Sequence, residues 1–103
     1  MSRVALWQFD PGREQDMLRF AFREGEVTPE RRAAMVKTFD GEIAGEVTPE
    51  LVFARFNADD RPTAKTAYSL SVGDVIVLPG RTLQVTSVGF EDLPEGLFPA
   101  VSA

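Results

Sequence analysis

The chain has 103 residues, of which 44% are hydrophobic and 26% charged, and it contains no cysteine and no histidine. A chain of this length encloses one hydrophobic core, so we expect a single domain over residues 1–103. Without cysteine and histidine there is no disulfide, no thiol nucleophile and no Ser-His-Asp triad, and the commonest metal ligands are missing. The net charge of −5 comes from 16 acidic and 11 basic residues, so the chain as a whole lacks the basic surface that generic nucleic-acid binding requires.

The first predicted strand covers residues 4–9, where successive side chains point to opposite faces. Residues 10–12, Asp-Pro-Gly, then predict a turn, because proline fixes φ and glycine tolerates positive φ. Residues 14–24 fit two patterns. Leu18 and Phe22 lie one helical turn apart, whereas the alternation of apolar and arginine side chains over the same residues is typical of a strand. The helical interpretation is favoured, and the strand stays open.

The hexapeptide Gly-Glu-Val-Thr-Pro-Glu occurs twice, at residues 25–30 and 45–50. Two copies with different continuations do not indicate a solenoid. Each copy has instead the pattern of a helix start: threonine caps free backbone N–H groups, proline suits the first helical position, and glutamate favours the positive end of the helix dipole. After Thr48 the apolar spacing predicts a helix that ends near Asn57.

The first copy predicts a shorter helix. Residues 29–34 have room for one turn, because residues 35–39 then alternate as a second strand toward a turn at Asp40-Gly41. Further along, residues 57–68 are polar, contain Pro62 and show no period. They predict a loop exposed to solvent.

The carboxy-terminal third of the chain predicts a β-hairpin. Residues 71–74 form a turn that leads into residues 75–78, a strand buried on both faces. Pro79-Gly80 reverses the chain, and residues 83–88 alternate as the second strand. The tail, residues 91–99, packs as a turn or short helix against the sheet edge. The elements together predict an α+β fold: a small antiparallel sheet of three to four strands with one main helix and a C-terminal β-hairpin.

Few residues could carry chemistry. Asp59 and Asp60 could bind magnesium through oxygen ligands, but adjacent acids in a loop usually form a solvated turn. Asp74 follows a glycine at a strand entrance, where its carboxylate would accept backbone N–H groups of the turn, a structural role. We therefore expect no catalytic residue, no metal site and no cofactor.

Residues 53–57 read Phe-Ala-Arg-Phe-Asn, and residues 69–78 read Ser-Leu-Ser-Val-Gly-Asp-Val-Ile-Val-Leu, followed by Gly89-Phe90. With the opening residues 6–9, these segments resemble the YodL-like domain family. That family has a helix ending in aromatic-x-x-Phe-Asn, a stretch Ser-Leu-Ser-Val-Ser-Asp-Val-Val, a late Gly-Phe pair and an opening Tyr-Gln-Leu strand. The resemblance spans most of the chain.

The chain departs from the family pattern at three places. Gly73 replaces a serine, the loop after Asn57 lacks the usual Pro-x-Asp-Phe and Gly-His signals, and the helix expected after Phe20 is shortened. The family occurs largely in proteins of plasmids, conjugative elements and phages, often beside DNA-processing or antirestriction domains. The resemblance thus implies a setting and no mechanism.

We expect a non-enzymatic protein-interaction domain, an accessory protein of a phage or plasmid that binds a host or element protein. Its binding surface is expected on the predicted loop, on the exposed face of the helix after Thr48 and on the tail. The candidate binding residues are the charged and polar side chains of these segments: Glu50, Arg55, Asn57, Asp59, Asp60, Arg61, Glu91 and Asp92.

Two other functions stay open. A nucleic-acid-binding β-domain, similar to ASCH and PUA-like domains in its Val-Gly-Asp strand entrance, would need the arginines between Arg19 and Arg32 on one face. An enzyme that uses carboxylates and a metal is the third hypothesis. An uncovered edge strand, at residues 4–9 or in the hairpin, would also let two copies pair as a homodimer.

The expected location is the cytoplasm, without membrane association. No run of 18 apolar residues occurs in the chain, and such a run is needed to cross a bilayer. The opening residues reach a charge by Asp10, too soon for the apolar region of a signal peptide.

Overall fold

The computed structural model describes residues 2–9, 27–43, 45, 47–57, 70, 72–94 and 96–101. The predicted turn at residues 10–12, the ambiguous segment 14–24 and nearly all of the predicted loop 57–68 lie outside the described residues. The elements, in chain order, are β1 (Ser2–Phe9), α1 (Pro29–Ala33), β2 (Met35–Ile43), α2 (Pro49–Phe56), β3 (Val75–Leu78), β4 (Arg81–Thr86) and β5 (Gly89–Asp92).

The strands form one antiparallel sheet in the order β2-β1-β3-β4-β5. With the two helices of the described residues, this confirms the α+β class. The predicted number of three to four strands is wrong, because the described sheet has five. The predicted hairpin is β3 and β4, but β4 also pairs with β5. β5 escapes sequence reasoning because an edge strand can be short and charged, and so resembles a turn.

β1 is an inner strand of this sheet. It pairs with β2 on one side and β3 on the other, and residues 4–9 are all buried. The expectation that this segment forms an uncovered edge is therefore wrong. The edges of the described sheet are β2 and β5.

β2 is longer than the alternation predicts. The predicted turn at Asp40-Gly41 is wrong, because β2 continues through both residues, which pair with Ala5 and Val4. A Cβ on Gly41 would lie 3.2 Å from the ring of Phe39. This glycine thus makes room for an aromatic ring within a strand, where the sequence pattern suggests a reversal.

An exposed ion cluster joins β1 to β2. Asp40 accepts hydrogen bonds from Arg3 Nε at 2.9 Å and from Lys37 Nζ at 2.8 Å. The bond from Lys37, followed by the one from Arg3, holds the pKa of the Asp40 carboxyl below its ordinary value.

The pKa of the Asp40 carboxyl is lower in the folded state than in the unfolded state. The ionised carboxylate therefore stabilises the fold at pH values above the unfolded-state pKa. That contribution is lost as the pH falls through the folded-state pKa. We expect an NMR titration of the Asp40 carboxyl carbon to show a midpoint below the ordinary aspartate value, and Lys37→Ala to raise that midpoint. An unchanged midpoint in Lys37→Ala would contradict this assignment.

The sheet has two apolar faces, because side chains along each strand alternate in direction. On one face, here the α2 face, Val52 and Phe56 of α2 pack against strand residues such as Leu6, Ile76 and Leu83. On the opposite face, the α1 face, the core includes Trp7, Phe9, Val75 and Val77 of the strands, covered by Val27, Ala34 and Phe98. The sheet therefore lies between two layers.

Both copies of the repeated hexapeptide start helices, which confirms that prediction. The Thr28 hydroxyl accepts a hydrogen bond from the Arg31 amide at 3.2 Å, and the Thr48 hydroxyl accepts one from the Leu51 amide at 3.2 Å. Proline occupies the first turn in each case. The predicted end of α2 near Asn57 is confirmed as well.

Two arginines of α1 face the core. Arg31 is only 5% exposed, and its guanidinium lies 5.5 Å from the centroid of the Phe9 ring. Burial lowers the pKa of Arg31, and the charge of Asp74 partly opposes this shift. The Arg32 guanidinium lies 3.9 Å from the centroid of the Trp7 ring. Both side chains thus contribute to packing, where they cover aromatic rings.

The tail lies over a face of the sheet, which corrects the prediction that it packs against the edge. The rings of Phe98 and Trp7 are 5.4 Å apart, and Arg32 lies 5.0 Å from the Phe98 centroid. Arg32 Nε also donates to the carbonyl oxygen of Leu97 at 3.2 Å. The guanidinium thereby ties the tail to α1. In the described part of the chain, neither helix has the length and apolar character needed to cross a bilayer.

Candidate functional site

A cleft of about 490 Å³ opens on the α2 face, between the start of α2 and the β4–β5 hairpin. We call it the hairpin–helix cleft. Its size is in the range of sites that receive a ligand or a side chain of a partner. Its lining residues are Thr48, Pro49, Glu50, Arg81, Leu83, Val88, Gly89 and Phe90.

The helix wall of this cleft is set by local sequence. Thr48 caps α2 and Pro49 occupies its first turn, so two consecutive residues fix the direction of the helix start. Glu50 follows on the exposed side. A carboxylate here also interacts favourably with the positive end of the helix dipole.

The hairpin wall depends on a two-residue turn. Residues 87–88 connect β4 to β5, and Gly89 has a φ of 148°, a conformation that L side chains rarely adopt. The Val88 amide donates to the Thr86 hydroxyl at 3.3 Å, which supports the turn. Val88 is 95% exposed as a result. An apolar side chain therefore stands at the rim of the cleft.

The cleft has an apolar floor. Leu83 is 1% exposed, and Phe90 packs edge to face on Phe53 of α2 with a centroid distance of 6.1 Å. Leu51, next to Glu50 on α2, is 52% exposed. The hairpin tip and the helix start thus form one surface that is apolar in the middle and charged at its margin. We call this the hairpin–helix surface.

A second cleft, of about 510 Å³, lies between the sheet and the tail. Val77 and Thr82 contribute from the strands, and Leu93, Phe98 and Ala100 from the tail side. We call it the tail cleft. Arg81 lines both clefts.

Arg81 and Asp92 form an ion pair at the end of the sheet. Arg81 Nε donates to Asp92 Oδ1 at 3.2 Å, and Arg81 Nη2 donates to Asp92 Oδ2 at 3.3 Å. The side chains are 51% and 68% exposed. Such an exposed pair contributes less than about 1 kcal/mol, so it can open for a binding partner at little cost.

The structure places the predicted site residues Glu50 and Asp92 at different clefts. Glu50 lines the hairpin–helix cleft, Asp92 lines the tail cleft and pairs with Arg81, and Glu91 is exposed on β5. Arg55 is exposed further along α2. The candidates Asp59, Asp60 and Arg61 lie outside the described residues.

The side chain of Asn57 forms two hydrogen bonds with the backbone of Leu70. Its side-chain oxygen accepts a hydrogen bond from the Leu70 amide at 2.6 Å, and its Nδ2 donates to the Leu70 carbonyl at 3.2 Å. These two bonds connect the end of α2 to the residue that leads toward β3. The amide of Asn57 is thereby already engaged by the backbone.

Sequence reasoning missed Val88 and Arg81 as surface residues. It places Val88 within the second hairpin strand, residues 83–88, whereas β4 ends at Thr86. The signal that could have found it is Gly89, because a glycine within an alternating run often marks an irregularity of the strand or a turn. Arg81 carries no such signal, because its position depends on the pairing of β4 with β5.

Two side-chain hydrogen bonds in series link Thr38, Gln8 and Asp74. The Thr38 hydroxyl donates to Gln8 Oε1 at 2.7 Å, and Gln8 Nε2 donates to Asp74 Oδ2 at 3.1 Å. The register of β1 against β2 shifts between Leu6 and Trp7, which makes Thr38 the extra residue of a β-bulge. Gln8 is fully buried and Asp74 is 2% exposed. These hydrogen bonds connect β2, β1 and the residue before β3, which gives Asp74 a structural role.

Within the described residues there is no cluster of three or more acidic side chains with metal-binding geometry. Comparisons with family models, with curated proteins and with solved structures find no match for this chain.

Proposed function

We propose that this protein is a non-enzymatic interaction domain, and that a protein partner docks on the hairpin–helix surface. The observation that carries the proposal is Val88, an apolar side chain 95% exposed at the rim of a cleft with an apolar floor. A single exposed apolar side chain is common on protein surfaces and indicates no function by itself. Next to a concave apolar site, however, it forms the kind of patch that binds proteins.

The composition of the surface supports a protein partner. Interfaces combine an apolar centre with a polar margin. Here Leu83 and Phe90 form the apolar floor of the cleft, Val88 stands at its rim, and Glu50 and Arg81 supply the charged margin. We further propose that the protein is an accessory protein of a phage or plasmid and acts in the cytoplasm of the host cell. The sequence resemblance supports this part of the proposal.

The nucleic-acid alternative gains no support from the described arginines. It needs Arg31 and Arg32 on an open basic face. Arg31 is instead buried, and the Arg32 guanidinium lies against the rings of Trp7 and Phe98. The hairpin–helix cleft has one acidic and one basic lining residue, Glu50 and Arg81, and thus no excess of positive charge for phosphate groups.

A charge at the hairpin tip tests the proposal. We expect Val88→Asp to abolish capture of the partner, because it places a carboxylate in an apolar contact, while leaving the melting temperature close to that of the unmodified protein. The matched control is Val36→Asp. Val36 is 39% exposed on β2, at the opposite edge of the sheet.

The measurement is affinity capture of the tagged full chain from cells that carry the gene, with quantitative mass spectrometry of both variants. A protein that is retained by Val36→Asp and lost from Val88→Asp supports the proposal. If no captured protein depends on Val88, the proposed surface is wrong.

A further inference from the structure

The backbone of β5 has a side that faces away from β4. The Leu93 amide donates to the Thr82 carbonyl at 2.8 Å. In an antiparallel pair, backbone groups point toward the partner strand at every second residue. Glu91 and Gly89 are in phase with Leu93, and therefore the N–H and C=O groups of Phe90 and Asp92 point to the other side.

That other side is the edge of the sheet. β5 is the last strand in the sheet order, and no strand of the described residues pairs with it there. Phe90 and Asp92 thus present two amide donors and two carbonyl acceptors in the arrangement that an added strand requires. An extended peptide can pair with such an edge, with affinity from the main chain and specificity from alternate side chains.

The side chains around this edge define what an added strand would carry. A residue opposite Phe90 would have its side chain on the α2 face, beside the hairpin–helix cleft, where Val88 and the half-buried Phe90 offer apolar contact. The adjacent residue would point to the other face, beside Glu91, which is exposed. The first position therefore favours an apolar side chain and the second a lysine or arginine.

Charge decides between a second copy of this chain and a different protein. Two copies joined through β5 would bring together the exposed Glu91 carboxylates of both, in chains that already carry a net charge of −5. Like charges across paired strands are unfavourable. A basic segment is favoured at the same place.

We propose that β5 binds an extended segment of a partner protein by strand addition, with an apolar side chain in the hairpin–helix cleft and a lysine or arginine beside Glu91. This inference rests on the proposed function, and it adds the conformation and the chemistry of the partner. The hairpin–helix cleft then serves one side-chain position of that segment. Arg81 and Asp92 lie at the end of the added strand.

Selection from a random peptide library displayed on phage, with the full chain immobilised, identifies the segment. We expect enriched peptides in which an apolar residue neighbours a lysine or arginine, without proline at these positions. A synthetic peptide of the enriched sequence is the probe, and a scrambled peptide of identical composition is the control for charge alone. If scrambling leaves the affinity unchanged, or if nothing is enriched, the proposal is overturned.

Backbone methylation tests the geometry. Methyl groups on alternate peptide nitrogens block one side of an extended strand and leave the other side intact, so one of the two methylated sets should lower the affinity about tenfold or more while the other has a small effect. Hydrogen exchange should slow at the Phe90 and Asp92 amides when the peptide is added. Equal effects of both sets, or unchanged exchange at these amides, would overturn strand addition.

Variants separate this inference from the proposed function. Glu91→Lys should weaken the peptide about tenfold and shift selection toward acidic peptides, whereas Val36→Asp should bind as the unmodified chain does. A cellular partner that needs Val88 but leaves Phe90 and Asp92 exchanging freely upholds the proposed function and overturns strand addition. Slowed exchange at both amides on raising the concentration of the protein alone would assign this edge to a second copy, and that result also overturns the proposal.

Discussion

Replacing Phe56 by alanine is expected to lower the free energy of unfolding by about 3–5 kcal/mol. Phe56 is the last residue of α2 and is 1% exposed. Its ring packs edge to face against Phe39 of β2 with a centroid distance of 4.9 Å. Alanine would remove both the apolar burial and the aromatic contact and leave a cavity between helix and sheet.

This loss is large for a domain of this size, whose total stability is of the order of 5–15 kcal/mol. Urea denaturation followed by circular dichroism measures it, with Leu51→Ala on the same helix as the control. Leu51 is 52% exposed, so its truncation should change the stability by less than about 0.5 kcal/mol. Similar losses for the two variants would show that α2 does not pack on the sheet through Phe56.

The second large effect is expected at Asp74. Replacement by alanine should cost about 1–3 kcal/mol, because it leaves the buried Gln8 Nε2 without its hydrogen-bond acceptor. It also removes a carboxylate charge that partly opposes the effect of burial on the Arg31 guanidinium. The exposed carboxylate Asp92 provides the control, and Asp92→Ala should cost less than about 1 kcal/mol.

A double variant shows whether the loss at Asp74 comes from charge. If Arg31 is replaced by methionine in addition to Asp74→Ala, the combined loss should be smaller than the sum of the single losses, because no uncompensated charge then stays buried. Urea denaturation of the four proteins gives the coupling. Additive losses would indicate that Asp74 acts through its hydrogen bond to Gln8 and not through its charge.

Substitutions on the hairpin–helix surface differ in whether they also alter stability. Its floor residue Leu83 also belongs to the core of the α2 face, so substitution there would alter stability and binding together. Val88 stands almost fully in solvent, and its substitution separates the two. The Val88 and Glu91 variants are therefore the informative ones for function, whereas Phe56 and Asp74 report on the fold.

Part of the structure follows from local sequence. The two Thr-Pro-Glu helix starts are recognised because a capping hydroxyl and the amide it binds are only three residues apart. Strand β3 is recognised because four consecutive apolar residues can only be buried. The absence of cysteine and histidine is likewise a property of the sequence alone.

Other features depend on contacts between distant residues. Arg32 looks like a surface charge in the sequence, yet its guanidinium lies against the rings of Trp7 and Phe98, residues far from it along the chain. The extension of β2 through Asp40 depends on its pairing with β1. No local pattern contains this information, because the pairing energy comes from a strand some thirty residues away.

The α+β class, the positions of the helix starts and the buried strands can be predicted from the amino-acid sequence, since they follow from capping and from the periodicity of apolar residues. Contacts between distant segments set which charges are exposed and which are covered, where the sheet ends, and which side chains meet at the hairpin–helix cleft. The two sets of features differ in the range of the interactions along the chain. Capping and periodicity act over three or four residues, whereas the cleft and the open edge of β5 arise only when α2, β4 and β5 pack together.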